Sequence, residues 1–153
     1  MNPHYMGKNK SRRLGYQRDW INGFDVRLNP SHGPALLGLP VDLVWGTTWE
    51  HDANKLIGPV IGLPELPVCE WSKTEPKGID RRVYYKTPDL VDYAEDRHRP
   101  WIWVDDEIGD ADREYAAGAA TVPTLLHRVD PREGLTTDDF TAITAWVHNL
   151  NNP

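Results

Sequence analysis

The feature that most constrains the fold is the run Pro-Trp-Ile-Trp-Val at residues 100–104, an unbroken apolar stretch of strand length. A strand with one face in water alternates apolar and polar residues, whereas this run has no polar position, which predicts a strand buried on both faces. Strands of that kind are typical of parallel sheets covered by helices. Residues 41–45 are a second run of this kind apart from Asp42, and residues 124–129 are predicted to form a further short strand. We therefore expect three strands of one mostly parallel sheet.

Helical patterns alternate with these strands. A helix is predicted after the turn Gly46-Thr47-Thr48, and a second one before the run at 100–104, with Thr87 as its N-cap and Pro88 as its first residue. Further helices are predicted over 110–120 and from Thr136 onward. The alternation of strands and helices predicts an α/β fold, with helices on both faces of the sheet.

Length and composition limit the possible classes of protein. The 153 residues suffice for one domain, and the net charge of -6 argues against a general nucleic-acid binder. The single cysteine, Cys69, cannot form an intramolecular disulfide, and the sequence contains no apolar run of membrane-spanning length. We expect a cytoplasmic protein without a membrane partner.

The N-terminal segment differs from the rest in charge. Residues 1–18 contain five cations, namely Lys8, Lys10, Arg12, Arg13 and Arg18, and no acid. We divide the chain into a basic, flap-like arm over 1–25 and an α/β core over 26–150. The favoured interpretation of the arm is a solvated, mobile segment. The alternative is that Arg12 and Arg13 bind a phosphate-bearing ligand.

Polar residues follow two of the predicted strands. Thr47 and Thr48 come after the run at 41–45, Asp105 and Asp106 come after the run at 100–104, and Lys86 precedes the intervening helix. Ligands of open α/β sheets bind beyond the carboxyl ends of the strands. The sequence therefore predicts that hydroxyl, ammonium and carboxylate groups converge at one edge of the sheet.

Each of these groups has a structural alternative. Thr47 or Thr48 would cap the next helix, Lys86 would be a solvated surface lysine, and the two acids would cap a helix that begins near Gly109. Two adjacent acids exceed what a cap requires, and they repel each other unless a cation neutralises them. Carboxylate oxygens are ligands that Mg²⁺ prefers, so we favour a Mg²⁺ site at Asp105 and Asp106.

Four segments in order resemble a bacterial branch of the haloacid dehalogenase-like (HAD) hydrolases: VRLNPSHGPAL, DLVWGTTWEHDANKL, WIWVDDEIGD and TLLHRVDPREGLTTDDF. The resemblance spans residues 26–148 and implies a Rossmannoid three-layer sandwich with Mg²⁺-dependent phosphatase activity. It implies that Thr47 hydrogen-bonds the transferring phosphoryl group, with Thr48 also contacting substrate. Lys86 would neutralise charge at the nucleophile, and Asp105 and Asp106 would hold Mg²⁺.

The first motif of that family, Asp-x-Asp-Gly, does not occur in this sequence. In the family its first Asp attacks phosphorus and its second acts as general acid and base. Asp25 is rejected as nucleophile, because Arg27 stands where the second acid belongs. The family motif continues into Leu-Asn-Pro, which matches Asn2-Pro3. We therefore expect that the chain starts just past its nucleophile and lacks the first central strand, which leaves two inner strand edges unpaired.

Three functions follow from these observations. The first is a phosphohydrolase of HAD type that is inactive or impaired without its nucleophile and whose substrate is a phosphorylated small molecule or nucleic-acid end. The second is a non-catalytic protein that binds phosphate and metal, or a partner, on a HAD-derived fold. The third is a nucleic-acid-end phosphatase that uses the basic arm with Arg12 and Arg13.

Overall fold

The computed structural model describes residues 2–3, 5–72 and 78–152. Its helices are α1 Lys8–Arg13, α2 His32–Leu37, α3 Gly58–Ile61, α4 Lys86–Glu95, α5 Asp110–Ala119 and α6 Thr137–Asn151, and a π-helical turn, Ala53–Ile57, runs into α3. Its strands are β1 Gln17–Ile21, β2 Phe24–Leu28, β3 Trp101–Asp105 and β4 Thr124–Arg128. No helix in these ranges has both the length and the apolar character needed to cross a membrane.

The expected α/β architecture is confirmed around β3 and β4, which pair in parallel with α5 as their crossover. Side chains that follow each other along β4 contact different helices. Leu126 belongs to a buried cluster with residues of α4 and α5, whereas the His127 imidazole contacts the Asp139 carboxylate of α6. Because successive side chains of a strand point to opposite faces, helices lie on both faces of this pair.

The prediction of a strand over 41–45 is wrong in extent. The segment forms a single parallel bridge, between Trp45 and Val68. In this bridge the Trp45 amide donates to the Pro67 carbonyl and the Cys69 amide donates to the Trp45 carbonyl, both at 2.9 Å. Pro67 has no N–H to extend the ladder. The expected continuous sheet is therefore divided: the Trp45–Val68 bridge does not belong to the sheet that β3 and β4 form.

The main chain of β3 is bonded along one edge. The Trp101 amide donates to the Pro123 carbonyl at 3.1 Å, and the Asp105 carbonyl accepts from the Val129 amide at 3.0 Å. Odd-numbered residues of β3 therefore face β4, and the amides and carbonyls of Ile102 and Val104 project from the other edge. Within the described ranges, no hydrogen bond reaches the main chain of Ile102 or Val104.

The segment around Trp45 likewise has main-chain hydrogen bonds on one edge. Because the Trp45 main chain faces the segment at 67–69, Val44 and Gly46 project their main-chain groups the other way. No described hydrogen bond reaches the main chain of Val44 or Gly46, and Val44 is 39% exposed. In the described part of the chain two main-chain edges are therefore free, one at Val44 and Gly46 and one at Ile102 and Val104.

Amide hydrogen exchange is expected to alternate along β3. The amides of Trp103 and Asp105 should exchange about tenfold or more slowly than those of Ile102 and Val104, because only the former pair bonds to β4. NMR-detected exchange in D₂O measures each amide separately. Equal protection at all four positions would show that the second edge of β3 has a partner.

Two hydrophobic clusters include or contact residues of the bridge and of the segments next to it. The first joins α4, α5, β3 and β4 and consists of Cys69, Leu90, Val91, Trp103, Ile108, Ala116 and Leu126. The second joins the β1–β2 hairpin to the helical segment 53–61 and consists of Ile21, Val26, Leu28, Ile57, Ile61 and Leu63, with Leu43 and Trp45 packed against it. Side-chain packing therefore fixes the bridge segment together with the two main-chain hydrogen bonds of the bridge.

The N-terminal segment is folded, contrary to the expectation of a mobile arm. Its described residues include α1 and β1, and the Arg27 guanidinium binds the carbonyls of Pro3 and Met6 at 2.8 and 2.6 Å. Lys8, Arg12 and Arg13 are exposed, as expected for solvated charges. The boundary drawn between residues 25 and 26 falls inside β2.

Candidate functional site

The centre of the candidate site is a buried ion pair between Lys86 and Asp105. Lys86 is the first residue of α4 and Asp105 the last residue of β3, and each is 6% exposed. The Lys86 Nζ lies 2.8 Å from Asp105 Oδ2, and Asp105 Oδ1 accepts from the Glu107 amide at 3.1 Å. Lys86 is thus not a solvated surface lysine, and the structure brings it to the first of the two adjacent acids.

Two aromatic rings lie near the Lys86 ammonium. The Lys86 Nζ lies 5.4 Å from the ring centroid of Tyr84 and 6.0 Å from that of Trp71. Both distances lie within the range in which a ring face attracts a cation. Trp71 was not singled out by the sequence, because it follows no strand end and has no motif around it.

Trp71 also connects Lys86 to Thr47. The Trp71 Nε1–H donates to the Thr47 carbonyl at 3.1 Å. The Thr47 hydroxyl is half-buried and accepts from the Trp49 amide at 3.4 Å, so it also caps the turn that follows. Thr48 is exposed. Thr47, Lys86 and Asp105 are therefore linked through one tryptophan.

Asp106 is only partly buried, and its carbonyl accepts from the Arg128 Nε at 3.2 Å. Among the described residues, no group of three or more His, Cys, Asp or Glu side chains is placed to hold a metal ion. Both oxygens of Asp105 already have a partner, in Lys86 and in the amide of Glu107. The described residues by themselves do not fit a Mg²⁺ ion.

Arg12 and Arg13 are not brought to this site. Both lie in α1, and no hydrogen bond or ion pair in the described ranges joins them to Thr47, Lys86 or Asp105. The helix is held elsewhere, since the Lys10 ammonium pairs with the Glu133 carboxylate at 2.7 Å.

Burial keeps two ionisable side chains near the site protonated at neutral pH. It raises the pKa of Tyr84 well above its usual range, and the charges of Tyr85, Asp105 and Glu107 raise it further. Burial likewise raises the pKa of Cys69 to about 11, so that its thiol is not a nucleophile at neutral pH. The phenol of Tyr84 and the thiol of Cys69 therefore both stay neutral.

The prediction of Thr87 as N-cap is wrong. Helix α4 begins at Lys86, two residues before the predicted start at Pro88, and the fully buried Thr87 hydroxyl donates to Asp112 Oδ1 at 2.5 Å. The same oxygen accepts from the Tyr84 amide at 2.7 Å. The hydroxyl is therefore used in a contact with α5, and the sequence offered no sign of that distant partner.

Comparisons with family models, curated proteins and solved structures gave no match for this chain. The resemblance to HAD-like hydrolases therefore rests on the order and wording of its motifs.

Proposed function

We propose that this chain carries the phosphate-binding part of a HAD-type phosphohydrolase site, on a Rossmannoid three-layer fold, and that it is inactive without a nucleophile from a further strand. The observation that carries the proposal is the buried Lys86–Asp105 pair at the carboxyl end of β3, tied through Trp71 to Thr47. A buried cation beside the carboxyl end of a strand suits the binding of a phosphoryl group.

The chemistry of each group fits phosphoryl transfer. Positioning and electrostatic stabilisation supply most of the catalysis in such reactions. The Lys86 ammonium, already partly removed from water, would stabilise negative charge on the transferring group more strongly than an exposed lysine. The Thr47 hydroxyl would donate a hydrogen bond to a phosphoryl oxygen. Asp105 would hold Lys86 in place until the anion binds.

The two free edges support a place for another strand. At one end of the two segments the Arg99 guanidinium binds the Asp42 carboxylate at 2.6 Å, and at the other end Trp71 links Thr47 to Lys86. We infer that the edges face each other. One strand between them would separate them by about 9.6 Å, twice the usual strand spacing. A carboxylate at the end of that strand would arrive beside Lys86 and Asp105.

The proposed cation follows from the same picture. We propose that Mg²⁺ binds to Asp105 and Asp106 only together with a carboxylate from the added strand, since Mg²⁺ needs several oxygen ligands and the described residues do not supply them. The alternative of a nucleic-acid-end phosphatase gains no support from the described contacts, because Arg12 and Arg13 lie away from the contacts of Lys86.

The test is turnover of a generic aryl phosphate with Mg²⁺. The chain as it stands should show no turnover above background, and an N-terminal extension that supplies a strand ending in Asp-x-Asp-Gly should create activity. Robust turnover by the 153-residue chain alone would overturn the proposal. An extended chain that binds phosphate but never turns it over would instead favour the non-catalytic alternative.

A further inference from the structure

Asp112 makes contacts that a helix cap alone does not require. It is the third residue of α5 and is 1% exposed. One carboxylate oxygen, Oδ2, accepts from the Gly109 amide at 2.8 Å and so caps its own helix. The other oxygen, Oδ1, accepts from the Tyr84 amide at 2.7 Å and from the Thr87 hydroxyl at 2.5 Å.

The two donors to Oδ1 stand on either side of Lys86 in the chain. Asp112 therefore fixes the main chain before Lys86 and the side chain after it, while Asp105 takes the ammonium itself. The segment from Asp105 to Asp112 thus holds the start of α4 at two points. A carboxylate with three charge-assisted hydrogen bonds in a buried place makes a strong and directional clamp.

We propose that Asp112 is the positioning residue of Lys86, which sets the first turn of α4 so that the ammonium meets Asp105. The functional effect of this positioning rests on the proposed function, because Lys86 and not Asp112 would bind the phosphoryl group. The hydrogen bonds of Asp112 are present in the structure whatever the function is. Loss of Asp112 should free Lys86 selectively, rather than loosen the whole domain.

Asp139 provides a matched control. It is the third residue of α6, as Asp112 is of α5, and it caps its helix through Thr136 in the same way. Its second oxygen binds His127 and makes no described contact with the segment at 84–87. A purely structural role of Asp112 would therefore be reproduced by Asp139→Asn, whereas the proposed clamp would not.

The experiment measures the acetylation rate of each lysine by acetic anhydride, using mass spectrometry of peptides. In the unsubstituted chain Lys86 should react much more slowly than Lys55, whose side chain is 70% exposed. Asp112→Asn should raise the Lys86 rate by about tenfold, because the Tyr84 and Thr87 donors would then bond to a neutral amide oxygen and the Gly109 amide would lose its acceptor. Asp139→Asn should leave the Lys86 rate unchanged, and Lys55 should react equally in all variants.

The control for folding is Thr87→Val, which keeps the carboxylate and the side-chain volume and removes one donor. Thr87→Val should raise the acetylation rate of Lys86 less than Asp112→Asn does. If the circular dichroism spectrum shows that Asp112→Asn is unfolded, the rate in Thr87→Val alone tests the proposal. The proposal is overturned if Lys86 stays slow in Thr87→Val and Asp112→Asn, or if Asp139→Asn frees it equally. Acetylation involves no phosphate, so a failure of the proposed phosphatase would leave this result unaffected.

Discussion

Replacing Lys86 by methionine is expected to lower the free energy of unfolding by about 3–5 kcal/mol, because the change leaves the Asp105 carboxylate buried without its counter-charge. Both side chains of the pair are 8% exposed, so water reaches them poorly. Methionine keeps most of the packing of the lysine side chain, so that the loss reports mainly the charge.

Urea unfolding followed by tryptophan fluorescence measures this loss. The matched control is Lys10→Met, which breaks the ion pair of Lys10 with Glu133. That pair is of similar length, but the side chains of Lys10 and Glu133 are 39% and 51% exposed. That change should cost less than about 1 kcal/mol. In the double variant Lys86→Met with Asp105→Leu, much of the stability should return, since no uncompensated charge remains. Equal losses for Lys86→Met and Lys10→Met would show that the Lys86 pair is solvated.

Elements defined by local patterns were predictable from the sequence. The apolar run at 100–104 became β3, and the run at 124–129 became β4 with its last residue outside the strand. The start of α6 was predicted from Thr136, whose hydroxyl accepts from the Asp139 amide at 3.4 Å. These signals lie within a few residues of the element that they define, so a single sequence suffices to find them.

Features that depend on distant partners were not predictable. The run at 41–45 has the composition of a strand, yet a strand needs a ladder, and the segment forms only one bridge. The contacts of Trp71 with Thr47 and of Asp112 with Thr87 join residues 24 and 25 positions apart. No local periodicity encodes such pairs. The topology predicted that Thr47, Lys86 and Asp105 come together, but nothing in the sequence predicted the supporting contacts of Trp71 and Asp112.

An N-terminal extension is expected to give the largest change in activity. The extension replaces Met1 by an apolar strand followed by Asp-x-Asp-Gly-x-Leu, so that the added sequence runs directly into Asn2-Pro3. Aryl phosphate turnover with Mg²⁺ should rise by at least about a thousandfold over the unextended chain, because losing a nucleophile commonly costs several orders of magnitude. Chelation of Mg²⁺ should abolish the gain.

Two controls separate strand binding from chemistry. An extension with Asn in place of the first Asp should fill the same place without turnover, and Lys86→Met in the active extension should lower the rate by about a hundredfold or more, as for loss of an electrostatic stabiliser. In the chain with the active extension and in the chain with the Asn extension, the amides of Ile102 and Val104 should become protected from exchange, since the new strand would bond to them. Protection without turnover would mean that the strand site is real and that the phosphatase proposal is wrong. Turnover without protection would place the nucleophile elsewhere than between the two free edges.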